Sequence, residues 1–297
     1  PSRNQHVLDF SRPEVVDYIH GMISKVIREA SISYIKWDMN RYITACYSAA
    51  ADAEHQGTIM HRYILGVYDL YTRLTTEFPD ILFESCASGG ARFDPGMLYF
   101  APQAWTSDDT DANERMRIQY GSSFVYPISS TGAHVSAVPN QQTVRTTPIQ
   151  TRANVAFFGA FGYELDLNEL SEEELAQVRE QIVYFKEHRE TIQMGTYWRL
   201  RSPFEGNQNE TAWMTVSPDK REAVVFYGQT LNHPNLGGLR LRLCGLDPAA
   251  EYEVVCGEEK SVHFGDELMN VGLILDRFEF YRRGGDFASF LYTLKAI

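Results

Sequence analysis

The chain has 297 residues, 44% of them hydrophobic and 13% aromatic, and its formal net charge is -12. This length and composition permit a large core and a second, smaller domain. The negative charge argues against a nucleic-acid backbone or an anionic membrane surface as a partner, and it favours a neutral polar ligand.

The four cysteines, Cys46, Cys86, Cys244 and Cys256, are widely spaced. No pair has C-x-x-C spacing, and no cysteine–histidine set has the spacing of a zinc site. We therefore expect a reducing, cytoplasmic setting and neither a metal ion nor another cofactor. The chain shows no signal-peptide pattern and no apolar run near about 20 residues, so no membrane association is expected.

The first part of the chain alternates short apolar runs with amphipathic stretches. The apolar runs predict strands at residues 5–10, 32–38, 81–86, 104–107, 124–134 and 162–167. The amphipathic stretches predict helices at residues 11–30, 58–78, 111–120, 149–161 and 171–193. Ser11 with Glu14 has the pattern of a capping box, Pro79 ends the second helix, and Ser171 caps the last.

The pattern changes near residue 195. Beyond it, apolar and polar residues alternate in short runs with turn residues between them, at 211–216, 223–227, 239–243, 252–255 and 287–294. This alternation predicts an antiparallel β-sandwich domain over residues 196–297.

The six strand–helix units before residue 195 predict an α/β fold, a (β/α)8 TIM-type barrel over residues 1–195. A closed barrel has eight strands in roughly 250 residues. The chain also begins at Pro1, without a methionine. We therefore expect the barrel to be partial, with one to three strand–helix units upstream.

Residues 34–41 (YIKWDMNR) begin as an apolar strand and end in polar groups. Strand ends of this kind form the catalytic face of a (β/α) barrel. Asp38 is the candidate nucleophile, and Lys36 shares its face of the strand. Lys36 and Arg41 would keep Asp38 ionised. The alternative for an isolated aspartate at a strand end is a cap of the next element.

Residues 105–111 (WTSDDTD) follow another predicted strand and make Asp108 the second candidate. Two carboxylates from different strands of one barrel face suit glycoside hydrolysis, one as the nucleophile and the other as the acid/base, about 5–5.5 Å apart in a retaining enzyme. The acidic neighbours Asp109 and Asp111 favour protonation of one member of the cluster. The alternatives are an acidic turn, with Asp111 as a helix cap, and a metal-binding loop.

Three further features have a functional and a structural interpretation. Cys86 is expected as a small buried residue rather than a nucleophile. Gly89 and Gly90 either let a ligand approach the backbone or form a tight turn. His134 is expected in the core or beside the site.

Three segments resemble the bacterial α-galactosidases of glycoside hydrolase family 36. They are residues 36–41 (KWDMNR), 86–94 (CASGGARFD) and 105–111 (WTSDDTD), the last followed by Glu114 and Arg115. Residues 3–5 and 8–10 also fit, so the resemblance covers nearly the whole chain. It implies a retaining α-galactosidase that hydrolyses terminal α-1,6-linked galactose from melibiose or raffinose-type oligosaccharides.

The resemblance also implies roles for individual residues. Asp38 matches the nucleophile and Asp108 the acid/base. The positions that line the galactose subsite are matched by Arg3, Lys36, Trp37, Asn40, Cys86 and Gly89. Family members have a large N-terminal β-sandwich, a (β/α)8 barrel and a small C-terminal β-domain, often as tetramers, so the full-length form is expected to be a homo-oligomer.

The sequence departs from the family at two points. The N-terminal domain and the first barrel strands lie outside this chain, and the acid/base motif more often has asparagine where Asp109 stands. The alternatives are a galactosyl-transferring relative of the raffinose and stachyose synthase type and a non-catalytic fragment. A related α-glucosidase clan shares the Asp-Met-Asn strand end, but it lacks Lys36 and usually has glutamate in place of Arg41.

Overall fold

The computed structural model describes residues 6–40, 43–87, 93–234, 239–275 and 285–297. The chain divides into two compact units, Pro1–Asp108 and Asp109–Ile297. Residue 195, the predicted domain boundary, falls inside the second unit. The division into domains 1–195 and 196–297 therefore stays a prediction.

The first unit holds a parallel three-stranded sheet in the order β1-β2-β3. Its strands are β1 Tyr34–Asp38, β2 Leu82–Cys86 and β3 Gln103–Ala104. Its helices are α1 Pro13–Glu29, α2 Ile59–Glu77 and α3 Pro95–Phe100, and a 3-10 turn, Gln56–Thr58, precedes α2. Helices between successive strands allow the strands to run in parallel.

One face of this sheet is buried against the helices. Helix α2 places its buried side chains at helical spacing, and all of them except Ile59 share a core with Ile35, Trp37 and Phe83 of the sheet. The buried side chains of α2 are Ile59, Tyr63, Val67, Leu70, Tyr71 and Leu74. Because side chains alternate along a strand, Tyr34, Lys36 and Asp38 point to the other face of β1.

The predicted capping box at the start of α1 is wrong. Arg12 is the N-cap residue, and its side chain makes no capping hydrogen bond. The hydroxyl group of Ser11 instead donates to Oδ1 of Asp9 over 2.5 Å. Pro13 occupies the first turn of the helix, where a missing N–H is no loss.

The second unit opens with a parallel pair of strands, β4 Gly132–Ser136 and β5 Ala160–Glu164. Its first helices are α4 Ala112–Ser122, α5 Ile149–Ala156 and α6 Glu172–Met194, with 3-10 turns at Ile128–Ser130 and Leu167–Glu169. The described residues before 195 thus contain five strands, where the sequence predicted six, because residues 6–10 form none.

Two predicted elements of this region have different limits in the structure. Helix α5 ends at Ala156 rather than at residue 161. Gly159 lies against the backbone of Thr131 and the side chain of Ala133, where an added Cβ has no room, and the chain enters β5 directly after it. The predicted strand at 124–134 is a 3-10 turn followed by β4.

The rest of the second unit is a six-stranded antiparallel sheet in the order β11-β10-β13-β8-β7-β6, with a two-stranded ribbon of β9 and β12. The elements are β6 Thr196–Arg201, β7 Glu210–Val216, β8 Glu222–Gln229, β9 Leu239–Leu241, β10 Glu251–Cys256, β11 Glu259–Phe264, helix α7 Gly265–Asn270, β12 Leu273–Leu275 and β13 Ala288–Ala296. The antiparallel sheet predicted for this region is confirmed, although β6, β11 and β12 were not predicted.

Both faces of this sheet are covered. On one face, Tyr227 and Leu294 pack with Leu241 of the ribbon and Leu268 of α7. On the other face, Trp213 and Phe226 stack with ring centroids 4.4 Å apart and pack on Phe158, which lies in the bend after α5. Each fully buried side chain of this size stabilises the fold by about 1.5–3 kcal/mol.

The predicted cap of the last helix is confirmed. The amide of Glu174 donates to Oγ of Ser171 over 3.2 Å, and the amide of Ser171 donates to Oε2 of Glu174 over 3.0 Å. These two bonds satisfy amides that the first turn leaves without partners. None of the helices in the described ranges is both long enough and apolar enough to cross a bilayer.

Candidate active site

The pairing of β1 with β2 places the candidate residues of the first unit side by side. The parallel register sets Lys36 beside Glu84 and Asp38 beside Cys86. The amide of Met39 donates to the carbonyl oxygen of Cys86 over 2.7 Å, which extends the ladder past the end of β1. Asp38 is therefore the last residue of β1, as the sequence predicted. The hydrogen bond of the Met39 amide fixes the backbone directly after it.

Asn40 and a cavity lie next to Asp38. Nδ2 of Asn40 donates to Oδ2 of Asp38 over 3.2 Å. Asp38, Asn40 and Trp37 line a cavity of about 340 Å³, whose other walls are His6, Val7, Leu8, Phe10, Ile19, Met39 and Tyr63. This volume is in the range of small-molecule sites. Lys36, Cys86 and Asp108 are not among the described residues that line it.

Trp37 has a second contact on the helical side of the sheet. Its ring centroid is 5.3 Å from that of Tyr71, at an interplanar angle of 42°. Half-buried, the indole of Trp37 thus contributes to the core of the first unit and to the cavity wall beside Asp38. Its predicted role in substrate binding stays a prediction.

The ion pair formed by Lys36 is with Glu84, not with Asp38. Nζ of Lys36 lies 3.5 Å from Oε1 of Glu84, and the phenol of Tyr34 donates to Oε2 of Glu84. Glu84 is only 3% exposed. Burial raises the pKa of Tyr34, and the hydrogen bond to Glu84 raises it further, since both disfavour the phenolate.

Asp108 lies in the loop after β3, because that strand is shorter than predicted. The amide of Trp105 donates to the carbonyl oxygen of Ser85 over 3.0 Å, and Nε1 of Trp105 donates to Oδ1 of Asp108 over 3.1 Å. At about 4.8 Å between neighbouring strands, the axes of β1 and β3 are about 10 Å apart. The two carboxylate groups can lie closer together than the strand axes. The separation of 5–5.5 Å expected for the catalytic carboxylates of a retaining enzyme stays a prediction.

The other acidic residues of the cluster have structural partners in the second unit. Asp111 is the N-cap of α4, and its Oδ1 accepts hydrogen bonds from the amides of Asn113 and Glu114, as the capping hypothesis predicted. Oδ1 of Asp109 accepts from the amide of Asp111 over 3.1 Å. No group of three or more histidine, cysteine or acidic side chains that could hold a metal ion occurs in the residues the structure describes.

Asp111 is also buried in an ionic network. It is 2% exposed, Nη1 of Arg145 lies 2.8 Å from its Oδ1, and Oγ1 of Thr143 donates to its Oδ2 over 2.5 Å. Asp108, by contrast, is exposed. The acidic segment therefore divides into a helix cap and a carboxylate with access to solvent.

The remaining predicted residues are placed as follows. Cys86 is buried beside Asp38, and all four cysteines, which the structure describes, are present as thiols. Nδ1 of His134 lies 2.9 Å from Oε2 of Glu164 on the neighbouring strand. Arg3 and Gly89 lie outside the described residues, as do Arg41 and Gly90, so their predicted roles are untested.

The parts played by Glu84 and Trp105 were not predicted from the sequence. The signal for Glu84 was present, because it is a charged residue inside the apolar run at residues 81–86, and such a charge has to be paired when it is buried. The partner could not be read from the sequence, because the register between β1 and β2 decides it.

Comparison with known families identifies the chain. Residues 1–195 match the family model described as melibiase, and residues 210–294 match that of the glycosyl hydrolase family 36 C-terminal domain. The chain belongs to glycoside hydrolase family 36. The family that the three sequence segments predicted is therefore confirmed.

Relatives in family 36 are similar along the whole chain. The α-galactosidase AgaA of Geobacillus stearothermophilus is 51% identical over 295 residues, which are 99% of this chain and 39% of AgaA. The α-galactosidase Mel36A of Lactobacillus acidophilus is 46% identical over 297 residues, 100% of this chain and 39% of Mel36A. The chain thus spans about two fifths of the length of these relatives.

Solved structures of family 36 enzymes share the fold. The crystal structure of AgaA has a TM-score of 0.94 at 50% identity, and the match covers 100% of this chain and 40% of AgaA. Variants of AgaA have been crystallised in complex with raffinose, with stachyose and with 1-deoxygalactonojirimycin.

Proposed function

We propose that this chain carries the catalytic carboxylates of a retaining α-galactosidase that hydrolyses terminal α-1,6-linked galactose from melibiose and raffinose-type oligosaccharides. The observation that carries the proposal is Asp38 at the end of β1, in a family 36 chain, with Asn40 bonded to its carboxylate. The complexes of AgaA variants with raffinose and stachyose support the substrate class.

In the first step, the carboxylate of Asp38 attacks the anomeric carbon while Asp108 gives its proton to the departing glycosidic oxygen. The carbon–oxygen bond to the leaving sugar breaks, and an ester forms between galactose and Asp38. In the second step, Asp108 takes a proton from water, which attacks the same carbon and releases galactose. Two inversions retain the anomeric configuration.

Other side chains hold the reacting groups and the sugar. The amide of Asn40 donates to one oxygen of Asp38, and the indole of Trp105 donates to one oxygen of Asp108. Lys36 and Cys86 stand on the same face of the sheet as Asp38. We assign galactose binding to Lys36, Trp37, Asn40 and Cys86, together with Arg3 and Gly89.

We also propose a (β/α)8 barrel that includes residues 1–195 and a β-sandwich domain at residues 196–297. The two parallel sheets with intervening helices and the ranges matched by the two family models, 1–195 and 210–294, support this division. The four thiols support a reducing, cytoplasmic setting. A homo-oligomer, a tetramer by the family resemblance, completes the proposal for the full-length protein.

The direct test is release of nitrophenol from p-nitrophenyl α-galactoside by the full-length protein. Asp38→Ala is the control and should abolish turnover without loss of fold, measured by circular dichroism. Faster cleavage of the matching α-glucoside would reject the assignment to galactose. A folded protein that cleaves neither compound would favour the non-catalytic alternative.

Hydrolysis and galactosyl transfer are separated by the products from raffinose. A hydrolase releases free galactose and sucrose in equal amounts. A transferase of the raffinose or stachyose synthase type yields larger oligosaccharides instead. Product analysis by anion-exchange chromatography at increasing raffinose concentration therefore decides between them.

A further inference from the structure

Glu84 is a buried acidic residue in the middle of β2, and the proposed mechanism does not use it. It stands between Phe83 and Ser85 and is 3% exposed. An ionised carboxylate is costly to bury unless a cation or hydrogen-bond donors compensate for the lost water. The structure provides one of each, and both come from β1.

The two partners of Glu84 are on the face of β1 that carries Asp38. Tyr34 donates its phenolic proton to Oε2 of Glu84, and Nζ of Lys36 lies 3.5 Å from Oε1. The raised pKa of Tyr34 keeps this phenol a donor throughout the neutral range. The register, which pairs Lys36 with Glu84, brings these side chains together although they are far apart in the sequence.

The contact between Lys36 and Glu84 is an ion pair rather than a short hydrogen bond. Its length of 3.5 Å exceeds the 2.7–2.9 Å typical of a charge-assisted hydrogen bond. Oε1 of Glu84 accepts no hydrogen bond from the residues that the structure describes. Glu84 therefore does not consume the three donors of the ammonium group, and within the part of the chain that the structure describes these donors can serve hydroxyl groups of a ligand.

A second contact fixes Lys36 from the side of β3. Nζ of Lys36 lies 5.1 Å from the ring centroid of Trp105, which is 5% exposed. This distance is within the range of a cation–π interaction. The indole of Trp105 also donates to Asp108, the proposed acid/base. The ammonium group of Lys36 thus contacts both the buried carboxylate of Glu84 and the ring of Trp105.

We propose that Glu84 is a positioning residue, whose buried carboxylate, bonded to Tyr34, fixes the ammonium group of Lys36 where it binds a hydroxyl group of the galactosyl unit. The inference rests on the proposed function, because it assigns Glu84 a part in binding the substrate of that function. Glu84 itself does not touch the sugar. It acts through Lys36 alone.

A double-mutant cycle on the full-length protein tests this assignment. Glu84→Gln should raise KM for p-nitrophenyl α-galactoside about tenfold, equivalent to about 1.4 kcal/mol and within the range of coupled side chains, with a smaller change in kcat. In a Lys36→Met background, the same substitution should change KM by less than about twofold. An equal rise of KM in both backgrounds would show that Glu84 acts through the fold and overturn the proposal.

The C-terminal sheet offers a matched control. Glu253 on β10 pairs with Lys260 on β11, with 3.2 Å between Oε2 and Nζ, and Glu253→Gln removes the same charge from a strand far along the chain. This variant should leave KM unchanged. A rise of KM equal to that of Glu84→Gln would contradict a specific role for Glu84.

Two further arms keep the test decisive. If Glu84→Gln does not fold, Glu84→Asp withdraws the charge by one methylene, and its rise in KM should likewise vanish in the Lys36→Met background. If the wild-type protein releases no nitrophenol, the proposed function fails. The double-mutant cycle is then measured with the affinity for 1-deoxygalactonojirimycin, determined by calorimetry. If the Glu84 substitution weakens binding only when Lys36 is present, the role proposed for Glu84 is still supported. If it weakens binding equally in the Lys36→Met background, or if the wild-type protein does not bind the inhibitor, the proposal is overturned.

Discussion

The indole Nε1 of Trp105 donates a hydrogen bond to Oδ1 of Asp108 over 3.1 Å. Trp105 is buried, and its own amide is bonded to the carbonyl oxygen of Ser85 on the central strand. The proposed acid/base, whose side chain is exposed in the loop after β3, is thereby tied to the sheet. A rigid donor of this kind holds a carboxyl group in the orientation that proton transfer needs.

We expect Trp105→Phe to lower kcat for melibiose about tenfold, since an Asp108 that lacks the indole donor protonates a poor leaving group less efficiently. The loss on p-nitrophenyl α-galactoside should be smaller, because nitrophenol departs with little help from an acid. Steady-state kinetics on both substrates measures the difference. Trp198→Phe, at a partly exposed tryptophan of β6, is the control and should change neither value. Equal losses on the two substrates would contradict this role for Trp105.

The two proposed catalytic carboxylates should give azide products of opposite configuration. In Asp38→Ala, azide replaces the nucleophile and should yield β-galactosyl azide from an α-galactoside. In Asp108→Ala, azide attacks the galactosyl ester of Asp38 and should yield α-galactosyl azide. Nuclear magnetic resonance of the anomeric proton distinguishes the products. The same product from both variants would show that the roles are not divided as proposed.

Asp111→Ala should destabilise the protein by about 2–3 kcal/mol. The substitution removes a helix N-cap, about 1 kcal/mol, and breaks a buried ion pair with Arg145. The cost stays below the 3–5 kcal/mol of a fully buried pair, because Arg145 is partly exposed and retains Glu114 at 3.4 Å. Urea unfolding measures the change. Asp108→Ala is the control and should lose activity with little change in stability.

The carboxyl group of Asp9 should make the stability of the first unit depend on pH. Burial raises the pKa of Asp9, but hydrogen bonds from Ser11 and Ser48 outweigh this, and the net pKa is lowered. A carboxyl group with a lowered folded-state pKa contributes stability above its unfolded value of about 3.9, and this stability is lost as the pH falls through the folded value.

Ser48→Ala removes the hydroxyl group that donates to Oδ2 of Asp9 over 2.5 Å. We expect a loss of about 1–2 kcal/mol at pH 7, which shrinks in acid below about pH 4 as Asp9 becomes protonated. Urea unfolding at several pH values checks this, with the exposed Ser33→Ala as the control. A loss of the same size at every pH would show that the hydroxyl group of Ser48 does not act through the charge of Asp9.

Local patterns in the sequence were enough to locate much of the fold. The apolar run before Lys36 identified β1 and its end at Asp38, and Ser171 was correctly predicted as the cap of the last helix, where its spacing with Glu174 forms a capping box. The same spacing at Ser11 and Glu14 failed, because the hydroxyl group of Ser11 is bonded to Asp9 and not to the helix. A capping hydroxyl group accepts a hydrogen bond from an amide of the first turn. Ser11 instead precedes the N-cap residue, Arg12, and its hydroxyl group donates to a carboxylate outside the pattern.

Elements whose limits depend on packing were predicted less well. The strand expected at 104–107 is only Gln103–Ala104, and Asp108 is carried by the loop that follows. Helix α5 stops where Gly159 approaches β4, a contact between segments distant in sequence. Such limits follow from neighbours that a local pattern does not contain.

The sequence by itself determined the family, the class of secondary structure in each half and the two carboxylates to consider, because motif residues and hydrophobic periods are local properties. Only the tertiary structure decided which charges meet. It paired Lys36 with Glu84 rather than Asp38, and it made Asp111 a buried cap while Asp108 stayed exposed. The reason is physical: strand register and helix packing bring together groups from distant parts of the chain, and the energy of a charge depends on those neighbours and on its access to water.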